Sequence, residues 1–164
     1  MSIWMPYARS LIGIREVPGK GNNATIMGWA KKLGTKILGI TYAADSVPWC
    51  GLYAAHVMEH AGVKPPPIAV RASEWGTWGR KLINPRPGCI LTFTRKGGGH
   101  VGFYVGEDDT HLHVLGGNQG DAVSVTRIAK DRLSEMRWPE EIPLPPAKTV
   151  RLRPDGVPVT SNEV

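Results

Sequence analysis

Val47-Pro48-Trp49-Cys50-Gly51-Leu52-Tyr53-Ala54-Ala55-His56-Val57 is the stretch where a turn runs into a helical pattern. From Cys50 onward, Tyr53, Ala54, Val57, Met58 and Ala61 recur at i+3, i+4, i+7, i+8 and i+11, which predicts a helix with one apolar face. Gly62 supplies the stop, and Pro65-Pro66-Pro67 cannot continue it. On this wheel His56 and Glu59 fall off the apolar stripe and His60 at its flank, so solvated positions are expected for them.

Upstream, helical spacing predicts short helices over Met5–Ile12 and Ala24–Leu33, each ending before a glycine. The turn formers of Glu16–Asn23 lie between them, and Asn22 and Asn23 are read as part of that turn. Arg71–Leu82 reads as a further short helix carrying Trp75 and Trp78, three apart, which could line a glycan or peptide groove but are expected first to pack in the core beside Leu82. After Pro85-Arg86-Pro87-Gly88 the period changes. Cys89–Thr94, His100–Val105, His111–Leu115 and Ala122–Thr126 read as strands separated by Gly/Asp turns. Helices first and a small antiparallel sheet second is an α+β pattern. One domain is expected over residues 1–140, followed by a proline-rich tail over 141–164 that wraps the surface or is partly disordered.

The net charge is +6 and the pI about 9.6, but the basic residues are scattered, so no nucleic-acid surface is expected. No stretch approaches the ~20 apolar residues needed to span a membrane. The N-terminal residues lack a basic leader followed by an apolar run, so no secretory signal is expected. Two cysteines are too few for a disulfide scaffold at this length. Cys89, inside an apolar strand pattern, is read as a buried, inert thiol.

Cys50 is read differently. A thiol attacks a carbonyl as thiolate, so its pKa must fall from about 8.5. The start of a helix favours that, because its N–H groups carry about half a positive charge. The Cys50 N–H could also donate to a developing oxyanion. The best candidate base is His100, which follows the turn Gly97-Gly98-Gly99 and opens a strand. A base needs an orienting partner. If the strands at 100–105 and 111–118 pair across the Gly106–Thr110 turn, a register of 100 with 118 or 116 places Asn118 beside His100 and His113 on the opposite face. Asn118 is therefore the first choice, with His113 the alternative. Gly116-Gly117 lets the backbone approach closely, and Gly99, Gly117 and Trp49 are candidates for substrate contact.

Pro48-Trp49-Cys50, Gly88-Cys89-Ile90-Leu91-Thr92-Phe93, Gly99-His100-Val101-Gly102-Phe103-Tyr104-Val105-Gly106 and Val114-Leu115-Gly116-Gly117-Asn118-Gln119 together resemble the CHAP and NlpC-type papain-like cysteine amidases and peptidases, and most of all the small phage and prophage branch with a Gly-Gly-Asn-Gln motif. The resemblance spans roughly residues 10–138. It implies a papain-like helix bundle on an antiparallel sheet, with Cys50 as nucleophile, His100 as base and Asn118 as polar third member. It implies a peptidoglycan hydrolase cutting an N-acetylmuramoyl-L-alanine or stem-peptide amide, with no metal or organic cofactor. It further implies a monomer whose partner is bacterial peptidoglycan rather than nucleic acid or membrane. Such a protein is made in the cytoplasm and reaches the wall by holin-, phage- or secretion-system-mediated delivery. In many NlpC-type enzymes an aspartate directly before the cysteine holds the free amine of the stem; this chain has Trp49 there, with Asp45 and Glu74 as the carboxylates that could stand in.

Two other readings follow from the residues. A non-catalytic wall-binding or phage structural module would keep the fold and drop the chemistry. A zinc peptidase would use His56-Val57-Met58-Glu59-His60, an H-x-x-E-H pattern, but lacks an identifiable downstream carboxylate ligand.

Overall fold

The computed structural model describes residues 2–17, 22–39, 48–95 and 98–158. In chain order the elements are α1 (Met5–Ser10), α2 (Ala24–Leu38), α3 (Cys50–His60), a 3-10 helix (Ala72–Thr77), β1 (Arg80–Lys81), β2 (Ile90–Arg95), β3 (Gly98–Glu107), β4 (His111–Gly116), β5 (Ser124–Ala129), a second 3-10 turn (Lys130–Arg132) and β6 (Leu133–Trp138). The strands form one antiparallel sheet in the order β1-β6-β2-β3-β4-β5, and the architecture is α+β.

α3 begins at Cys50, as its spacing predicts, and ends with a left-handed Gly62 (φ 77°). Its surroundings are more enclosed than one apolar stripe suggests. Every residue from Cys50 to Met58 is buried, because α3 packs against α2 on one side and β3 and β4 on the other. His56 is therefore inside, not solvated. α2 starts at Asn23, whose Oδ1 accepts from the backbone of Thr25 (2.8 Å) and Ile26 (3.1 Å). It is broken at Gly34 (φ 77°, ψ 165°), the glycine expected to end it, and resumes for one further turn.

The expected helix over Arg71–Leu82 is instead a 3-10 helix and a two-residue strand. Gly79, with φ 62°, brings its Cα against the Trp138 carbonyl, an approach that no side chain would permit. This lets Arg80 and Lys81 pair with Trp138 and Arg137. β6 is also absent from the sequence reading. It pairs with β2 through a bulge, with Thr92 opposite Glu135 and Phe93 opposite Leu133, and Ser134 is the extra residue. The bulge interrupts the period-2 alternation by which the strand would have been recognised.

The core runs between α3 and the sheet and contains Trp4, Trp49, Trp75 and Trp138, all fully buried. Trp75 is in the core as expected, donating to the Ala69 carbonyl (2.9 Å), while Trp78 meets it edge-on and is only partly buried. The described part of the proline-rich tail, residues 141–158, lies along the surface. Glu107 N–H donates to the Val150 carbonyl and Leu152 N–H to the Glu107 carbonyl, both at 2.8 Å, and Lys148 N–H donates to the Pro85 carbonyl at 2.9 Å. With Leu152 buried, residues 148–152 act as an added edge segment.

Candidate active site

The fold supplies three pieces: the first turn of α3, the start of β3, and the loop after β4. Cys50 is the first residue of α3 and is buried. The preceding Trp49 sits at the N-cap position and its side chain makes no cap hydrogen bond, so Trp49 itself does not neutralise the positive end of the helix beside the thiol. Cys50 and Cys89 are both thiols rather than a disulfide.

His100 lies near the start of β3, opposite Phe93 of β2, and is only 3 % exposed. Its Nε2 is 2.8 Å from Gln119 Oε1. The Gln119 amide nitrogen donates to two backbone carbonyls, Val114 (3.0 Å) and Ser124 (2.6 Å). Both amide N–H groups are thereby committed, and Oε1 is left to accept. The hydrogen in the His100–Gln119 bond must then come from imidazole Nε2. In the neutral ring this places the lone pair on Nδ1, the nitrogen able to act as base.

Asn118 is thus not the residue that meets His100; Gln119 is. The reason is local. β3 and β4 end their ladder with Phe103 opposite Leu115, a register that would bring residue 118 opposite 100. But β4 stops at Gly116, and Asn118 turns left-handed (φ 57°). The chain doubles back, closed by Gln119 N–H to the Ala122 carbonyl (3.0 Å), and the glutamine folds in beneath the imidazole. Its extra methylene compared with asparagine supplies the reach. Gln119 was visible only as the last residue of the Gly-Gly-Asn-Gln stretch.

His113 is not the third member either. Its Nε2 is 2.8 Å from Asp108 Oδ2, and the same carboxylate receives Arg127 Nε at 2.8 Å and Nη2 at 3.1 Å, plus the N–H groups of Thr110 and His111 at 3.0 Å each. Arg127 first, and then these hydrogen bonds, hold the Asp108 carboxyl far below the usual carboxylate range. This is a charge-satisfied knot that ties the β3–β4 turn to β5.

Two bridges join the Cys50 and His100 ends. A Cβ on Gly116 would lie 2.7 Å from Gln119 Oε1 and 3.4 Å from His100 Nε2. A Cβ on the next residue, Gly117, would lie 2.6 Å from the Tyr53 Cβ and 2.8 Å from Trp49 Cε3. Adjacent glycines therefore touch the imidazole pair and the first turn of α3. On the other side, the Ala69 and Val70 carbonyls press on Gly51, while Ala72 faces Gly99 across 3.4 Å measured to a would-be Cβ.

Among the candidates for substrate contact, Gly99 is half-buried and accessible. Gly117 is buried under the Trp49 ring. Trp49 itself is fully buried, its Nε1 donating to Glu16 Oε1 at 3.1 Å, so it is a wall of the site rather than an exposed platform. Glu16 is the other residue missed from sequence, being 33 positions away. Its segment is pinned to the loop after Gln119 by Glu16 N–H to the Asp121 carbonyl (3.0 Å) and by the Arg15–Ala122 bridge. Asp45 lies outside the described residues, and Glu74 is on the 3-10 helix.

The H-x-x-E-H residues are engaged otherwise. His56 Nε2 is 2.7 Å from the Tyr7 hydroxyl and the ring stacks on Trp29, while His60 stacks on Tyr7 at 3.5 Å. Burial, helped by Lys32 and His60, pushes His56 down to about 4. Among the described residues no group of three potential ligands is gathered for a metal. No protein-family model matches the chain, and no curated protein is significantly similar to it.

Proposed function

We propose that the protein is a cysteine-dependent hydrolase of papain-like arrangement that cuts amide bonds in bacterial peptidoglycan. The observation that carries this reading is the His100–Gln119 pair, which places the basic lone pair of the imidazole on Nδ1, with Gly116-Gly117 running from that pair to Trp49 and Tyr53 on either side of the cysteine that begins α3. The substrate class is supported by the sequence resemblance.

In the reaction, the Cys50 thiol gives its proton to His100 Nδ1. The thiolate attacks the amide carbonyl carbon, and a C–S bond forms as the oxygen takes up charge. The Cys50 N–H donates to that oxygen. The imidazolium then protonates the leaving amine as the C–N bond breaks, giving a thioester. His100 next takes a proton from water, whose oxygen attacks the thioester carbon. The C–S bond breaks, and carboxylate product and thiol are released. Gln119, bonded on the far nitrogen, keeps the ring oriented through both half-reactions. The protein would act on the wall after delivery from the cytoplasm.

The test is digestion of purified peptidoglycan by wild type and Cys50→Ala, with products identified by mass spectrometry. Release of amide-cleaved muropeptides by wild type alone is expected, and the product masses name the bond. Equal release by both proteins overturns the thiol mechanism. Binding to walls without any release favours the non-catalytic module.

A further inference from the structure

We propose that the groove of about 360 Å3 beside Gly99 is a binding subsite for a primary ammonium group, with the Thr92 hydroxyl and the Glu135 carboxylate as its acceptors. The groove lies between the 3-10 helix and the strands β2, β3 and β6. Gly99, which forms one wall, directly precedes His100 in β3.

Two features define its chemistry. Thr92 is only 5 % exposed, and among the described residues nothing hydrogen-bonds to its Oγ1. A buried hydroxyl without a partner is costly, and a ligand donor would relieve it. Directly opposite Thr92 in the β2–β6 ladder stands Glu135, so both side chains rise from the same face. Gly76 faces them across the groove, 3.9 Å from both Thr92 Oγ1 and Glu135 Cγ when measured to a would-be Cβ, and leaves the space between them open.

The carboxylate is oriented but not saturated. Arg137, held by the Trp78 and Gly79 carbonyls, reaches Glu135 Oε1 at 3.4 Å. Among the described residues Oε2 meets only the Lys81 ammonium, at 3.7 Å, from a side chain that is 67 % exposed. Such a long surface bridge is easily displaced. The contact shows the kind of group this oxygen accepts. A ligand carboxylate would be repelled by Glu135, and a purely apolar group would leave Thr92 unsatisfied. An ammonium on a flexible chain, such as a lysine side chain, has three donors to share between the two acceptors. The inference rests on the hydrolase reading for its place in the reaction, not for the binding itself.

The test is an NMR titration of the Cys50→Ala protein with acetyl-Ala-Lys-Ala-amide and with the same peptide acetylated on the lysine Nζ. Shifts are expected at the amides of Gly76, Thr92, Gly99 and Glu135, with binding at least about tenfold weaker for the acetylated peptide. The near-isosteric Glu135→Gln should abolish that discrimination, and Thr92→Val should weaken the first peptide several-fold, both with an otherwise native spectrum. Equal binding of the two peptides, no binding, or shifts confined to another surface overturns the subsite. Discrimination without any peptidoglycan cleavage by wild type overturns the hydrolase reading and keeps the subsite. Cleavage without discrimination does the reverse.

Discussion

The two thiols of this chain are both buried, yet their surroundings set them apart. Cys89 is enclosed between Arg86 and β2, with its carbonyl taken by Tyr104 N–H, and burial pushes its thiol up to about 12. Cys50 heads a helix whose N-cap residue, Trp49, gives no side-chain cap, and its neighbours Trp49 and Tyr53 pack on a pair of glycines that also meets a histidine whose far nitrogen is fixed. Reactivity follows from what stabilises the thiolate, and burial alone does not distinguish an inert thiol from an active one. The sharpest way to break this contrast is to remove each sulfur in turn. Cys50→Ala should lower peptidoglycan hydrolysis at least about a thousandfold, with the folded state retained. Cys89→Ala should keep near wild-type hydrolysis and lose about 1 kcal/mol of stability in urea unfolding. Comparable losses of activity in both variants would sink the distinction.

The next largest effect concerns the group behind the imidazole. Gln119→Ala frees the His100 ring and leaves the Val114 and Ser124 carbonyls without their side-chain donor. A fall in kcat of about tenfold to a hundredfold is expected. Asn118→Ala should stay within about twofold, because Asn118 shapes the loop without meeting the imidazole. Gln119→Glu adds a test that mere structural damage would not pass. A carboxylate against Nε2 favours the imidazolium, so the acid limb of the pH–rate profile should move to higher pH. If Asn118→Ala proves the more damaging of the two alanine variants, the assignment of the partner is wrong.

That assignment also shows how far the residues alone could lead. The helix beginning at Cys50 was legible because its apolar positions keep a 3.6-residue period through Ala61, and the strands of the central sheet because their runs are bounded by glycine and aspartate. The ladder register near His100 was legible too. What could not be read was the left-handed step at Asn118, since only the closing of the loop onto Ala122 makes the chain fold back and present Gln119. β6 was hidden by its bulge, and the 3-10 segment by Gly79 meeting Trp138, a partner 59 positions away. Glu16 carries no local mark of its contact with Trp49. Periodicity reports which face of an element is buried; it says little about loops whose shape is set by distant partners.

The smallest expected effect separates the buried histidine of α3 from the one at the site. His56 is held neutral, with a native pKa of about 4 against an ordinary value near 6.5. Above pH 6.5 both folded and unfolded chains carry it neutral, so it contributes no pH dependence. Between 6.5 and 4 the unfolded chain binds a proton that the folded chain refuses, so stability falls as the pH is lowered through that window. The loss should be on the order of 2 kcal/mol by pH 4, allowing for partial screening by solvent. Asp108 does not account for it, since a carboxyl held so low stays ionised in the folded state throughout that window, while its unfolded counterpart is mostly ionised above pH 4. Urea unfolding at pH 7 and pH 4 should therefore show a smaller difference for His56→Gln than for wild type. An unchanged difference would mean that the Tyr7–His56–Trp29 packing opens before the proton is bound, and the pH response would then belong to the α1–α3 contact rather than to one imidazole.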